Sequence, residues 1–256
     1  MDNEAIEAHL NDSLQKNLIY LHYQPKVDIL TRKICGAEAL IRLPHLNGVY
    51  VQPSKIISLA EQNGQIVAIG EAVLREACRG ILEMSKLGIM LPVSVNVSVA
   101  QILHENFFDT VVNIMSDFNL INKPELLEIE ITESIMINDP CLVVGVLQKL
   151  SSIGIRLSLD DFGVGFSSLN QLKMLPVTGI KIDKSFVDNI VSGEKDQAIV
   201  KIIIALAREF LLSILAEGVE TQPQADWLEK NGCHHAQGYL YGKPSGLDTF
   251  IALCAK

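Results

Sequence analysis

The chain has 256 residues, of which 48% are hydrophobic and 20% are charged. Its 21 Lys and Arg residues against 30 Asp and Glu residues give a formal net charge of −9 at pH 7. This composition is that of a globular protein and excludes a disordered or fibrous chain. The acidity also argues against a protein that holds DNA or RNA, since counterion release needs a surface dense in Lys and Arg.

The N-terminus, the apolar stretches and the cysteines indicate the compartment. The opening residues, MDNEAIEAHLND, are acidic and polar, unlike a signal peptide. The most apolar stretch, residues 198–206, is much shorter than the ~20 residues that span a bilayer. Five cysteines, none spaced as C-x-x-C, predict free thiols in a reducing compartment. We therefore expect a cytoplasmic protein with no membrane segment.

Short β-rich runs alternate along the chain with longer segments of helical period, which is typical of a parallel sheet with crossover helices. Eight runs are predicted as strands: 19–28, 34–43, 92–97, 126–131, 155–160, 179–183, 213–217 and 235–239. Helical segments lie between most of them, and four are closed by a glycine suited to the left-handed position after a helix. These four helices are predicted at 53–63, 71–87, 140–153 and 222–231.

The first two strands are separated by only about five residues, 29–33, whereas a parallel crossover needs a dozen or more. They should form an antiparallel hairpin, while the other six strands should be parallel. No linker or low-complexity tract divides the chain. We predict a single-domain α/β protein over residues 1–256, a TIM-like (β/α)8 barrel with an antiparallel first strand and a core from about residue 15 to 250.

Polar side chains lie near the carboxyl ends of seven successive predicted strands. In such barrels the strand interiors are filled with apolar layers, and polar residues at these ends face the mouth. A single acid at a strand end is more often a helix cap or a solvated loop residue, but seven polar ends in one mouth indicate a site. They are Glu38, Asn96, Glu130, the Asp160–Asp161 pair, Lys181, Glu217 and Gln237.

Several carboxylates in one mouth repel each other unless they are protonated or neutralised by cations. Carboxylate and amide oxygens suit Mg²⁺ or Mn²⁺ better than Zn²⁺. The adjacent Asp160 and Asp161 could let one carboxylate bridge two ions, and paired ions serve the in-line attack of water on a phosphodiester. The glycine-rich loop 162–168 lacks the Lys-Ser/Thr of a P-loop, which argues against a nucleoside triphosphatase.

The segment Glu38-Ala39-Leu40-Ile41-Arg42 resembles the motif that names the EAL domain family of cyclic di-GMP phosphodiesterases. Further blocks resemble the family in the family's order, so that the resemblance covers residues from about 15 to 250. These blocks are 23–25, 94–98, 128–134, 160–163, 175–176, 181–183, 216–220 and 237–239.

The resemblance implies a barrel with an antiparallel first strand, two Mg²⁺ or Mn²⁺ ions, and hydrolysis of cyclic di-GMP to linear 5′-pGpG. It implies that the metal ligands are Glu38, Asn96, Glu130, Asp160, Asp161 and Glu217. It implies that the catalytic residues are Glu38, Lys181 and Glu217, with Lys181 orienting the attacking water and Glu217 acting as a metal ligand or as the general base. It implies that the substrate is contacted by Gln24, Leu40, Arg42, Glu220 and Gln237. Glu133 would anchor the loop at 162–168.

The chain departs from the family pattern at Leu43, Val164 and Phe166. Val164 replaces the usual Thr of the loop, so loop order and turnover could be reduced. A receptor module that binds cyclic di-GMP without hydrolysing it therefore stays open as an alternative, as does a barrel metalloenzyme acting on another small acid or phosphate. The family also implies a homodimer, formed through the helices near the fifth and sixth strands and the loop before them.

Overall fold

The computed structural model describes residues 3–133, 135, 139–165 and 169–255. Eight strands form a closed barrel in which each strand pairs with its neighbours in chain order. The strands are β1 (Tyr20–Asp28), β2 (Ile34–Arg42), β3 (Val93–Asn96), β4 (Leu127–Thr132), β5 (Arg156–Phe162), β6 (Gly179–Ile182), β7 (Ser213–Ala216) and β8 (His235–Gln237). All eight predicted strands are confirmed, most of them within two residues of their predicted ends.

The first strand runs against both of its neighbours, as predicted from the short connection. β1 pairs antiparallel with β2, with Gln24 opposite Glu38, and antiparallel with β8, with Lys26 opposite Gln237. The connection closes as a tight turn, because Asp28 accepts a hydrogen bond from the Thr31 amide at 2.7 Å and Arg32 adopts a left-handed conformation with φ 59°. The remaining pairings around the barrel are parallel.

Helices cover the outside of the barrel. They are α1 (Asn3–Gln15), α2 (Pro53–Gln62), α3 (Ile66–Lys86), α4 (Val99–Ile102), α5 (Phe107–Asp117), α6 (Pro140–Ser152), α7 (Leu169–Met174), α8 (Lys184–Asp188), α9 (Glu194–Glu209), α10 (Gln222–Lys230) and α11 (Leu247–Cys254). The four predicted helices are confirmed, although α3 begins five residues before its predicted start at 71. No helix in the described part of the chain is long and apolar enough to cross a membrane.

Alternation along the strands separates the core from the site. In β4, Leu127, Ile129 and Ile131 are buried in the hydrophobic core between the strands and the helices. Glu128 and Glu130 lie between them in sequence, so they face the other side of the sheet. They meet Lys26 of β1, which is not a neighbour of β4 in the barrel, so these contacts cross the barrel interior.

The expectation of an apolar strand interior is therefore wrong for the layer beneath the mouth. Lys26 and Ser158 are buried there, and Glu128 is mostly buried. These polar groups are tolerated because they are paired with one another, which compensates for their removal from water. The mouth thus rests on a charged, ion-paired floor.

Candidate active site

The seven predicted strand-end positions converge at one rim of the barrel. Each lies within one of the strands β2 to β8 or directly follows it. Lys181 of β6 stands at the centre, with only 2% of its side chain exposed. Its Nζ lies 2.6 Å from Oε1 of Glu217, 2.8 Å from Oε2 of Glu130 and 3.1 Å from Oδ1 of Asp160. Oε2 of Glu38 is 3.9 Å away. Four carboxylates from four different strand ends therefore surround one ammonium group.

Side-chain amides hold the carboxylate of Glu38. Asn96 donates to its Oε1 at 2.7 Å, and Gln237 donates to its Oε2 at 2.5 Å. Gln237 also donates to Oε1 of Gln24 at 3.0 Å, and Gln24 donates to the carbonyl of Gly242 at 3.3 Å. This network links the ends of β1, β2, β3 and β8.

Asp160, Asp161 and Glu217 form a compact acidic group in which one carboxylate oxygen from each residue lies within 4.8 Å of the other two. Successive residues of a regular strand point to opposite faces, so two adjacent aspartates need a local irregularity to share a site. The register of β5 shifts between Leu159 and Phe162, and Asp161 adopts a left-handed conformation with φ 53°. The Asp161 amide then donates to Oδ1 of Asp160 at 2.9 Å. Such bulges often re-aim side chains next to active sites.

Charge and burial oppose each other in this cluster. Burial disfavours the charge of Glu130, but the ammonium groups of Lys181 and Lys26 outweigh it and lower the pKa of Glu130 to about 2. Burial and the neighbouring Asp160 and Glu38 outweigh Lys181 at Glu217, so the pKa of Glu217 is raised to about 8. Burial also raises the pKa values of Asp160 and Glu38.

The charge of Lys181 is stabilised in return. Burial opposes it, yet the surrounding carboxylates raise the pKa of Lys181 well above its ordinary value. Burial and the nearby Asp183 raise the pKa of Asp161. The cluster is thus a group of buried and partly exposed carboxylates around the ammonium group of Lys181, and more positive charge would stabilise its ionised form.

A cavity of about 480 Å³ opens above the cluster. Four of the five predicted substrate contacts line it: Gln24, Leu40, Glu220 and Gln237. The fifth, Arg42, is not among the residues that line the cavity, and its guanidinium donates to the carbonyl of Ile41 at 2.7 Å.

Sequence reasoning missed two residues of this mouth. Lys184 lines the cavity and pairs with Glu220 at 2.5 Å, and Tyr239 lines it with 58% of its surface exposed. Lys184 lies three residues after Lys181, and Tyr239 lies two residues after Gln237. The positions that follow each predicted site residue were therefore the signal that could have found them.

Glu133 lies just after β4, beside the start of the loop after β5. Its Oε1 accepts a hydrogen bond from the Gly163 amide at 2.9 Å. A Cβ atom at Gly165 would overlap the Glu133 carboxylate, so any larger residue there would displace this side chain. Ser134 and the loop residues 166–168, including Phe166, lie outside the described residues.

The charged floor beneath the site was also missed. Lys26 lies two residues from Gln24, Glu128 two from Glu130, and Ser158 two from Asp160. Period-two alternation along each strand was the signal that could have found them.

A closed eight-stranded barrel with a reversed first strand and carboxylates gathered at its mouth defines the class: a (β/α)8-type barrel with an acidic group at the carboxyl ends of its strands that could hold a metal ion. The chain belongs to the EAL domain family, whose model matches residues 7–244.

Curated relatives agree with this assignment. The bifunctional diguanylate cyclase/cyclic di-GMP phosphodiesterase MucR of Pseudomonas aeruginosa is 39% identical over 247 residues, which are 96% of this chain and 36% of MucR. The cyclic di-GMP phosphodiesterase PdeR of Escherichia coli is 34% identical over 239 residues, 93% of this chain and 36% of PdeR. The chain thus spans about a third of the length of these relatives.

Solved structures show the same fold. A structure titled as the PaMucR phosphodiesterase in complex with c-di-GMP superposes with a TM-score of 0.90 at 38% identity, covering 96% of this chain and 99% of that one. The EAL domain of FimX from Pseudomonas aeruginosa, bound to c-di-GMP, superposes with a TM-score of 0.84 at 25% identity, covering 94% and 96%.

Proposed function

We propose that this chain is a divalent-metal-dependent phosphodiesterase that hydrolyses cyclic di-GMP to linear 5′-pGpG. The observation that carries the proposal is the convergence of buried carboxylates from successive strand ends beneath one open cavity. Relatives named as cyclic di-GMP phosphodiesterases and a structural neighbour in complex with that dinucleotide support the choice of substrate.

The donor set fits two Mg²⁺ or Mn²⁺ ions, because it consists of carboxylate and amide oxygens without sulfur or imidazole. We assign the first ion to Glu38, Asn96, Glu130 and Asp160, and the second to Asp160, Asp161 and Glu217. The close approach of the carboxylates in the Asp160 group supports the second assignment. When bound, the ions lower the pKa of water and neutralise charge on the scissile phosphate.

The chain's own catalytic groups are Lys181, Glu217 and Glu38. Lys181, buried at the centre of the cluster, supplies a fixed positive charge beside the position of the attacking water. Glu217 lies 2.6 Å from Lys181, and bound cations would favour its ionised form, in which it can act as the general base or as a metal ligand. Glu38 is held by Asn96 and Gln237, so its oxygens are oriented before substrate arrives.

The cavity walls supply the substrate contacts. Gln24 and Gln237 present amides that can pair with guanine or ribose edges, Glu220 adds a carboxylate, and Leu40 adds an apolar surface. Arg42 is proposed as a phosphate contact, and this role requires its guanidinium to leave the Ile41 carbonyl.

Glu133 is proposed to anchor the loop after β5. Its hydrogen bond to the Gly163 amide ties the end of β4 to the loop that follows Asp160 and Asp161. Loop order and the placement of the two aspartates would then depend on each other.

The test is turnover by the purified chain. Cyclic di-GMP is incubated with the protein and Mn²⁺, and 5′-pGpG is followed by chromatography beside Glu38→Ala and a surface control, Glu125→Ala. The wild type and Glu125→Ala should form 5′-pGpG, whereas Glu38→Ala should lose at least a hundredfold of the rate, as removal of a single catalytic electrostatic group does. Tight binding with no turnover by the wild type would replace the enzyme with a receptor module.

We also propose a homodimer in the cytoplasm. Exposed apolar side chains on α7 and α9, among them Leu169, Met174 and Ile202, support an interface on the side of β5 and β6. The mass in solution, measured by light scattering, should be that of two chains, and a monomer mass would contradict the dimer.

The described cysteines are free thiols, which is compatible with a reducing compartment, and cell fractionation tests the location.

A further inference from the structure

A buried lysine that belongs to no predicted site lies directly beneath the candidate metal ligands. Lys26 projects from β1 into the barrel, with 8% of its side chain exposed. Its Nζ lies 2.8 Å from Oε2 of Glu128 and 2.8 Å from Oε1 of Glu130. Lys26 is thus held between two carboxylates beneath the site.

The two oxygens of Glu130 are in different environments. Oε2 accepts from Lys181 at 2.8 Å, and Lys181 is shared with Glu217 and Asp160 at the mouth. Oε1 accepts from Lys26 at 2.8 Å, on the floor. One oxygen thus faces the other candidate metal ligands, and the second faces away from them.

Lys26 is itself held from the other side. Glu128 accepts from Lys26 through Oε2 and from the hydroxyl of Ser158 through Oε1. Because charge-assisted hydrogen bonds are short and directional, the chain Ser158, Glu128, Lys26 and Glu130 fixes the plane of the Glu130 carboxylate. The contacts join β1, β4 and β5, so the carboxylate plane is set by the barrel and not by a loop.

We propose that Lys26 is a positioning residue that occupies Oε1 of Glu130 and so directs Oε2, the oxygen on the side of Lys181 and the mouth, toward the divalent cation. The inference rests on the proposed function, in which Glu130 is a metal ligand. Partners that hydrogen-bond to a ligating carboxylate orient it, and their loss typically costs 10–100-fold in metal affinity or activity.

A role of Lys26 in charge alone and a role in positioning Glu130 predict opposite effects of Lys26→Met on Mn²⁺ affinity. Removal of a cation near the site makes the site more negative, so a role in charge alone predicts tighter Mn²⁺ binding. Loss of the hydrogen bond frees the Glu130 carboxylate to rotate, so a positioning role predicts weaker binding. The double variant Lys26→Met/Glu128→Gln leaves the summed charge of these two residues at zero, as in the wild type, but still lacks the hydrogen bond to Oε1.

The experiment measures Mn²⁺ affinity by titration calorimetry, and kcat and KM for cyclic di-GMP, on the wild type, Lys26→Met, the double variant and the control Lys16→Met. Lys16 carries the same charge at the surface, where it pairs with Asp12. We expect Lys26→Met to bind Mn²⁺ about tenfold more weakly and to lose about tenfold or more in kcat. KM should change less than threefold, because Lys26 lies below the cavity. The double variant should stay impaired and Lys16→Met should match the wild type.

A crystal structure of the Mn²⁺-loaded wild type supplies a readout that needs no variant to fold. It should show Glu130 bound to the ion through Oε2 only, with Oε1 still on Lys26. Coordination through Oε1 or through both oxygens overturns the proposal, as does unchanged or tighter Mn²⁺ binding by Lys26→Met, or recovery in the double variant. A wild type that binds no Mn²⁺ would instead refute the proposed function itself, together with this inference.

Discussion

At the scale of single residues, the carboxylates of the site outnumber the ammonium group at its centre. Lys181 is shared by Glu130, Asp160 and Glu217 at 3.1 Å or less. Lys26 adds a second charge at Glu130 alone, so Asp160 and Glu217 share the charge of Lys181, and the pKa of Glu217 is raised to about 8. This excess of carboxylates favours cations at the site, as the proposed function requires.

This balance predicts how the stability of the metal-free protein depends on pH. The pKa of Glu217 is about 8 in the fold, against an ordinary value of 4.5. Between these two pH values the unfolded chain is ionised while the folded chain keeps its proton, so the folded state binds more protons and loses stability as pH rises. Urea unfolding in chelator should give a free energy of unfolding that falls by up to about 1.4 kcal/mol per pH unit from pH 5 to pH 8.

The matched control is Glu217→Gln, which keeps the shape of the side chain and removes the titration. Its free energy of unfolding should fall less steeply over the same range, since the neutral amide has no proton to lose, and the slope that is left comes from Glu38, Asp160 and Asp161, whose pKa values are also raised. An equal slope in both proteins would show that another group is responsible. Glu130 acts in the opposite sense and in another window, because its lowered pKa adds stability that is lost only as pH falls from 4.5 to about 2.

Most of the site could be predicted because its residues share one property, a position at the carboxyl end of a strand. Lys26 could not be found by that rule, since it lies on the reversed strand and points below the mouth. The hydrogen bond of the Arg42 guanidinium to the Ile41 carbonyl could not be predicted either, because it depends on a side-chain rotamer. Strand-end position predicts which residues converge, whereas side-chain pairing decides which atoms are free.

At the scale of elements, glycines within helices have opposite roles. Gly145 of α6 has open space where a Cβ atom would lie, while a Cβ atom at Gly70 of α3 would overlap the side chain of Gln101. Since glycine costs about 0.5–1 kcal/mol relative to alanine inside a helix, Gly145→Ala should stabilise the protein by that amount. Gly70→Ala should destabilise it, because Gln101 is buried and closes the capping box of α4.

Thermal and urea unfolding of the two variants checks this pair. A gain at Gly145 and a loss of about 1–3 kcal/mol at Gly70 are expected, the latter from overpacking. If Gly145→Ala is instead less stable than the wild type, α6 must be constrained by contacts that are not present around Gly145 in this structure.

The reversed first strand and the bulge in β5 differ in how far sequence reveals them. A connection of five residues is too short for a parallel crossover, so the hairpin followed from chain length alone. The bulge needs a left-handed Asp161, a conformation that carries no marker in the sequence because aspartate adopts it only occasionally. The shared role of the adjacent Asp160 and Asp161 could therefore be predicted from their chemistry, but the bulge that brings their side chains to one site could not.

At the scale of the whole molecule, the N-terminal helix α1 (Asn3–Gln15) packs onto the rest of the domain. Its Ile6 and Leu10 are fully buried in the hydrophobic core. α1 was missed because it carries few apolar residues, and only tertiary contact with α2 and α3 shows what they cover.

The net charge of −9 is to be interpreted differently once the fold shows where the acidic residues lie. It still argues against binding a nucleic acid polymer, but five of the acids lie together at the mouth: Glu38, Glu130, Asp160, Asp161 and Glu217. Two divalent cations bound there would add four positive charges where a dinucleotide phosphate must enter. The acidity is then a requirement of the proposed reaction and not an obstacle to it.

Metal dependence tests this central claim most directly. The purified chain is stripped with chelator, titrated with Mn²⁺, and assayed at each step for bound Mn²⁺ and for the rate of 5′-pGpG formation from cyclic di-GMP. The rate should be negligible without metal and should rise to its maximum as two ions bind per chain. Full turnover in excess chelator, or saturation with Mn²⁺ without any 5′-pGpG, would contradict the account.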